Sequence, residues 1–172
     1  MTASKMRQTN KRVSCNSVGL IVAVVRDVEQ SRRFHNLITE YEESLAPDLR
    51  HAEFEQERTR AREVYSAPNA AFAAELDGGD CGCVAFVRRD ASAAIIKKLC
   101  VPPRYRERGV ARALLTFLIA IAHERGYSTV MLDTDRERLA QAYRLYLALG
   151  FTQCAPYDEV SYACPTFMEL AL

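Results

Sequence analysis

The sequence lacks a dominant charge, a long apolar run, a repeat and clustered histidines, and each shortage removes a class of function. Lys and Arg number 23 against 22 Asp and Glu, for a formal net charge of +1. That balance leaves no basic footprint with which to grip a nucleic-acid backbone. The longest apolar stretch, residues 113–122, is too short to span a bilayer. Near the start, Lys5, Arg7, Lys11 and Arg12 precede a short apolar run at 18–25, and polar residues follow instead of a cleavage site. This does not read as a secretory signal, so the expected location is the cytoplasm, with no membrane and no nucleic-acid partner. His35, His51 and His123 are scattered without ligand spacing. Cys81-Gly-Cys83 is a tempting pair that would need further ligands, so no metal is expected. Its plainer reading is two small side chains on one face of a hairpin strand. The six cysteines sit in a chain large enough to fold without staples, so reduced thiols are the default.

What is present reads as an ordinary globular domain. Hydrophobic residues make up 49% of the 172 and charged residues 26%. Residues 1–17 are polar and basic without periodicity and read as a flexible tail, leaving 18–172 as the folded domain. A β-branched run at 18–26 reads as a strand. Residues 28–45 carry Phe34, Leu37, Ile38, Tyr41 and Leu45 at helical spacing, ended by Pro47. Asp48 can cap a second helix over 49–65. Then come apolar runs at 70–76 and 81–89 around Asp77-Gly78-Gly79-Asp80, a hairpin signal, and a third strand at 93–101 stopped by Pro102-Pro103. A long helix over 109–125 ends at Gly126, a strand follows at 128–134, and a helix over 138–149 ends at Gly150. Two last strands are expected at 151–154 and 166–172. The sum is a mixed α/β domain with a central sheet of about six to seven strands and four helices. The strands on either side of the long helix form a crossover unit and should run parallel. Ligands in open α/β sheets sit beyond strand C-terminal ends, which points to residues 99–101 and 133–134.

The segment Arg106-Glu107-Arg108-Gly109-Val110-Ala111 follows a strand and opens the long helix. A glycine there lets the backbone approach a ligand, and a helix N-terminus offers unpaired amides and a positive dipole end. Arg104, Arg106, Arg108 and Arg112 add charge at the same corner. Together they form a seat for a diphosphate; a glycine-started surface helix with solvated arginines would look the same on spacing alone. A Walker loop is excluded by the missing Gly-Lys-Ser/Thr, and a dinucleotide fingerprint by two missing glycines.

The run from Lys98 to Leu115 resembles the acetyl-CoA-binding motif of the GNAT superfamily of N-acetyltransferases, whose signature Gln/Arg-x-x-Gly-x-Gly/Ala is met by Arg106, Gly109 and Ala111. The block from Ala142 to Phe151 resembles the family's closing Leu-Tyr-x-x-x-Gly-Phe, and Phe167-Met168-Glu169-Leu170 resembles its last strand. The resemblance covers nearly everything but the tail. It implies a single-domain GNAT-like fold that moves acetyl from acetyl-CoA to a primary amine by direct transfer in a ternary complex. The loop residues Arg106, Glu107, Arg108, Gly109, Val110, Ala111 and Arg112 would hold the pyrophosphate. Leu99, Cys100 and Val101 would pair with the pantetheine arm through their backbone, and their amides would polarise the thioester carbonyl. Tyr146 stands at the position of a tyrosine that protonates the departing thiolate. A tyrosine giving its proton to a thiolate runs uphill by about 2 kcal/mol, so such a residue acts first through a hydrogen bond. A lysine-like amine must lose its proton at a cost of about 4.6 kcal/mol at pH 7, so a base is needed.

Many relatives keep a glutamate on the strand before the loop, whereas here that strand reads Ala94-Ile95-Ile96-Lys97-Lys98-Leu99. The first candidate base is Asp133, then Glu75, with Asp158 and Glu159 acting through water. Arg138 and Leu139 stand near the place where relatives carry an asparagine. Cys100 occupies a common tyrosine position and admits a second role as a nucleophile, though no histidine base pairs with it. The acceptor is expected to be a small-molecule or peptide amine, selected by Glu40, Tyr41, Glu42, Glu43 and Asp48. The chain is expected to be a monomer or homodimer. The alternative reading is a non-catalytic CoA-binding regulatory module of the same fold, motivated by the missing glutamate.

Overall fold

The computed structural model describes residues 19–25, 28–47 and 60–172. In chain order these form β1 (Leu20–Val24), α1 (Val28–Ser44), the single-turn helix α2 (Ala61–Val64), β2 (Ala70–Leu76), β3 (Gly79–Arg88) and β4 (Ala93–Cys100). A 3-10 turn (Pro103–Tyr105) leads to α3 (Val110–Glu124), β5 (Thr129–Thr134), α4 (Ala140–Ala148), β6 (Thr152–Gln153) and β7 (Thr166–Ala171). The strands make one sheet in the order β1-β2-β3-β4-β5-β7-β6. Among the described strands only β4 and β5 run parallel, as the crossover through α3 requires. The mixed α/β sheet expected from the sequence is therefore present. The proposed tail at 1–17, the Asp48 cap, His51 and most of the proposed helix over 49–65 lie outside the described residues.

Local chemistry explains the meander. Asp77 (φ 53°) and Gly78 (φ 80°) occupy the two central positions of the β2–β3 turn. Two successive left-handed residues give the turn whose twist matches the flanking strands. The sheet then buries both faces. Phe72, Val84 and Phe86 meet Leu114, Leu115 and Leu118 of α3 on one side. Ala71, Cys83 and Ala85 meet Phe34, Leu37 and Ile38 of α1 on the other.

Two bulges interrupt the alternation. Ala74 pairs with Gly82 while Glu75 pairs with Asp80, so Cys81 is an extra residue on β3. An extra residue inverts the in–out order beyond it. Cys81 therefore packs with the α3 core and Cys83 with the α1 core. This corrects the reading of the pair as sharing one face, and it separates the two sulfurs as ligands. The second bulge lies on β4, where three steps from Lys97 to Cys100 face two steps from Ala85 to Cys83. Lys98 takes a left-handed backbone there, φ 56°.

The helix expected over 138–149 begins two residues later. Asp135 Oδ1 accepts the amides of Glu137 and Arg138 at 3.0 and 2.9 Å, which forms a capped turn before α4 starts. No described helix is long and apolar enough to cross a membrane.

Candidate active site

The parallel pairing of β4 and β5 is brief: Ala93, Ala94 and Ile95 pair with Thr129, Val130 and Met131, and the strands then part. The β4 bulge bends one wall away just where the pairing ends. A cleft of about 630 Å³ opens between the diverging ends. Leu99 on β4 and Val101 just beyond it line one side, Leu132, Asp133 and Thr134 of β5 the other, and Tyr146 lines it from α4. Arg106, Glu107, Gly109, Val110, Ala111 and Arg112 line it from the loop and the start of α3. The cleft lies at the strand ends to which the sequence points, and eight of the ten residues proposed to bind cofactor line it. Cys100 and Arg108 are not among the lining residues.

The mouth of α3 presents free backbone amides. Gly109 is left-handed (φ 79°, ψ 3°) and caps the helix without any side-chain hydrogen bond. The first helical bond runs from the Ala113 amide to the Gly109 carbonyl at 3.0 Å. The amides of Val110, Ala111 and Arg112 thus precede the helix's own ladder. A Cβ placed on Gly109 would meet nothing within 4 Å, so the space beside its Cα is open. Arg106 is steadied by its Nε, which donates to the Val101 carbonyl at 3.2 Å. Arg104, by contrast, is engaged by both oxygens of Glu40 on α1 and ties the loop to that helix.

Tyr146 is 7% exposed, with its ring set edge-on to Phe151 at 5.8 Å. Burial pushes its phenol well above the ordinary range, and Tyr41 and the Asp133 carboxylate push the same way. Tyr146 is therefore a protonated donor inside the cleft. Tyr41, also lining the cleft, is raised chiefly by burial as well.

Asp133 sits opposite, on β5. Its Oδ2 accepts from the Tyr162 hydroxyl at 2.8 Å, and its Oδ1 stands 3.4 Å from Lys97 Nζ. The other proposed bases fall elsewhere. Glu75 is bound by Arg33 at 2.8 Å beside the β2–β3 hairpin, outside the cleft lining. Asp158 and Glu159 are exposed in the β6–β7 connection and do not line the cleft. Cys100 is buried on the α1 side, and its thiol donates to the Leu37 carbonyl at 3.3 Å. That placement removes it as a nucleophile for this cleft.

The acidic residues proposed to select an acceptor are largely committed within the protein. Glu40 holds Arg104, and Glu42 holds Lys98 at 3.1 Å in a pair whose side chains are 3% and 2% exposed. Glu43 does not line the cleft, and Asp48 lies outside the described residues. Among the lining residues that the sequence reading gave no role are Lys97, Lys98 and Tyr162, whereas Thr134 lies at the strand end it pointed to. Thr134 is 3% exposed, and its hydroxyl has no partner among the described residues. A buried hydroxyl of that kind asks for a ligand atom. Tyr162 left no periodic signal, because its contact with Asp133 spans 29 residues from within a loop.

The sequence profile of the acetyltransferase (GNAT) family matches residues 21–151. The chain belongs to the GNAT family. Related sequences include the mouse protein named probable N-acetyltransferase family 8 member 5, 36% identical over 63 residues. That match covers 37% of this chain and only 27% of the mouse protein. An uncharacterised N-acetyltransferase of Schizosaccharomyces pombe is 29% identical over 142 residues, covering 81% of this chain and 86% of that protein. Among solved GNAT-fold structures, an acetyltransferase from Streptococcus agalactiae superposes with a TM-score of 0.75 at 18% identity, covering 90% of this chain and 99% of that one. The structure of yncA from Salmonella typhimurium with its cofactor acetyl-CoA gives 0.67 at 19% identity, covering 89% and 94%. These likenesses establish the GNAT fold, and the parted strands and open helix mouth are where that fold is hollowed in this chain.

Proposed function

We propose that this protein transfers acetyl from acetyl-CoA to a primary amine while both are bound. One observation carries the reading: the gap between β4 and β5 runs from the uncapped mouth of α3 to the Tyr146 phenol and the Asp133 carboxylate. A structural neighbour that holds acetyl-CoA supports it. The residues present fit that ligand. The open space over Gly109 suits a diphosphate, the unpaired edge of β4 suits an amide-bearing arm, and the buried Thr134 hydroxyl lacks a partner.

Bound acetyl-CoA supplies an acyl group activated as a thioester. The amides from Gly109 to Arg112 meet the diphosphate charge, with Arg106 and Arg112 beside them. The helix dipole contributes only ~0.3–1 kcal/mol, so the amides and guanidinium groups act jointly. Leu99, Cys100 and Val101 offer backbone groups along the freed edge of β4 and draw charge onto the thioester oxygen. Tyr146 donates a hydrogen bond to the developing thiolate and completes proton transfer late. Asp133 draws the acceptor's ammonium into the cleft and takes its proton as the nitrogen commits its lone pair. Tyr162 holds that carboxylate in place.

The absence of a carboxylate on β4 favours a second reading, a CoA-binding regulatory module without turnover. A panel of polyamines, aminoglycosides, amino acids and peptides separates the two. The enzyme reading expects thiol release matched by an N-acetylated product. Bound CoA with no product from any amine would leave the module.

A further inference from the structure

Lysine is scarce in this chain. Of its 23 Lys and Arg, the lysines are only Lys5, Lys11, Lys97 and Lys98. Two of the four line the cleft. They are not equivalent. Lys98 is locked to Glu42 in a pair that is all but sealed from water, and withdrawing it would strand a buried carboxylate. The Lys97 side chain is 30% exposed, and its Nζ stands 3.4 Å from Asp133 Oδ1. That separation is long for a charge-assisted hydrogen bond, and the stem has four rotatable bonds, so the amine can swing. Asp133 itself is steadied from its other oxygen by Tyr162 at 2.8 Å. The chain thus carries its own primary amine beside the carboxylate assigned to receive an acceptor's proton, in the cavity assigned to the thioester.

We propose that Lys97 is a self-acetylation site, modified by the bound donor when no amine substrate is present. The inference rests on the acetyl-transfer reading above. In the step, the Lys97 ammonium passes one proton to Asp133 Oδ1. Its nitrogen then forms a bond to the acetyl carbonyl carbon. The carbon–sulfur bond breaks with its electron pair going to sulfur, which takes a proton from the Tyr146 hydroxyl. The second proton on nitrogen restores Tyr146 through solvent, and Asp133 releases its proton to water. The products are N-acetyl-lysine at 97, the CoA thiol and one proton. The modified side chain is neutral, so its ion pair with Asp133 is lost.

The test is a time course of the full chain with acetyl-CoA and no added amine, digested and mapped by mass spectrometry. One acetyl group is expected on the Lys97 peptide well ahead of Lys5, Lys11 and Lys98. Tyr146→Phe should slow that event by about 10²-fold, the lower range for loss of an acid catalyst. Lys97→Arg should abolish it and still bind CoA by calorimetry. Three outcomes overturn the inference: Lys97 unmodified in a chain that acetylates an added amine, Lys97 modified no faster than in the urea-unfolded chain, or a Tyr146→Phe rate equal to wild type. A chain that binds no CoA and acetylates nothing sinks the functional reading and this inference together.

Discussion

Sealing a tyrosine from water makes it a reluctant acid and a durable hydrogen-bond donor. Tyr146 is such a residue, because burial is the main force raising its phenol and Asp133 adds to it. The sign matters for activity. A raised phenol keeps its proton above the ordinary tyrosine range, so kcat should not fall between about pH 7 and about pH 9 through loss of that proton. Tyr146→Phe should lower kcat by about 10²–10⁴ and leave CoA affinity unchanged. Steady-state rates for the two proteins across that range check both points. An alkaline fall present in wild type and missing in Tyr146→Phe would contradict the assignment. At this scale the sequence was legible where a motif carried the residue. The resemblance nominates Tyr146, Gly109 and Ala111, and the strand end nominates Asp133. Lys97 and Tyr162 carry no such signal, because each stands beside Asp133 through a contact that only the folded chain makes.

Among the elements, hairpins and the crossover were readable from turn residues and hydrophobic period, while the bulges were not. The small residues Cys81-Gly82-Cys83 on β3 and the adjacent Lys97 and Lys98 on β4 satisfy either parity, so nothing in the string marks where either strand inserts an extra residue. Those steps shape the site. The β4 bulge turns the strand away from β5, and β3 must follow closely enough to stay paired. Gly82 permits that approach. A Cβ there would stand 2.8 Å from the Cys100 carbonyl oxygen and 3.0 Å from side-chain carbons of both Leu114 and Val110. A backbone oxygen cannot rotate aside, so β4 would have to move. Gly82→Ala is expected to destabilise the fold by about 1–3 kcal/mol, the usual range for overpacking, and to weaken CoA binding with it. Chemical denaturation together with calorimetry measures both. An unchanged unfolding midpoint would show that β4 does not rest against β3 as described.

Seen whole, the sheet is two antiparallel blocks, β1-β2-β3-β4 and β5-β7-β6, joined by a short parallel seam. α3 and α1 cover opposite faces, and the cleft lies where the blocks part. A ligand in that seam touches both blocks, which is why the proposed donor-binding groups come from β4 and α3 and the proposed acceptor-binding groups from β5 and the β6–β7 connection. The element order made this architecture predictable, but the width of the parting depended on where strand pairing stopped. A crystal structure of the full chain with acetyl-CoA tests the account most directly. The account predicts the diphosphate against the amides from Gly109 to Arg112, the arm along β4, and the thioester between Tyr146 and Asp133. Density for the donor anywhere outside the β4–β5 cleft, or a thioester turned away from Tyr146, would contradict it.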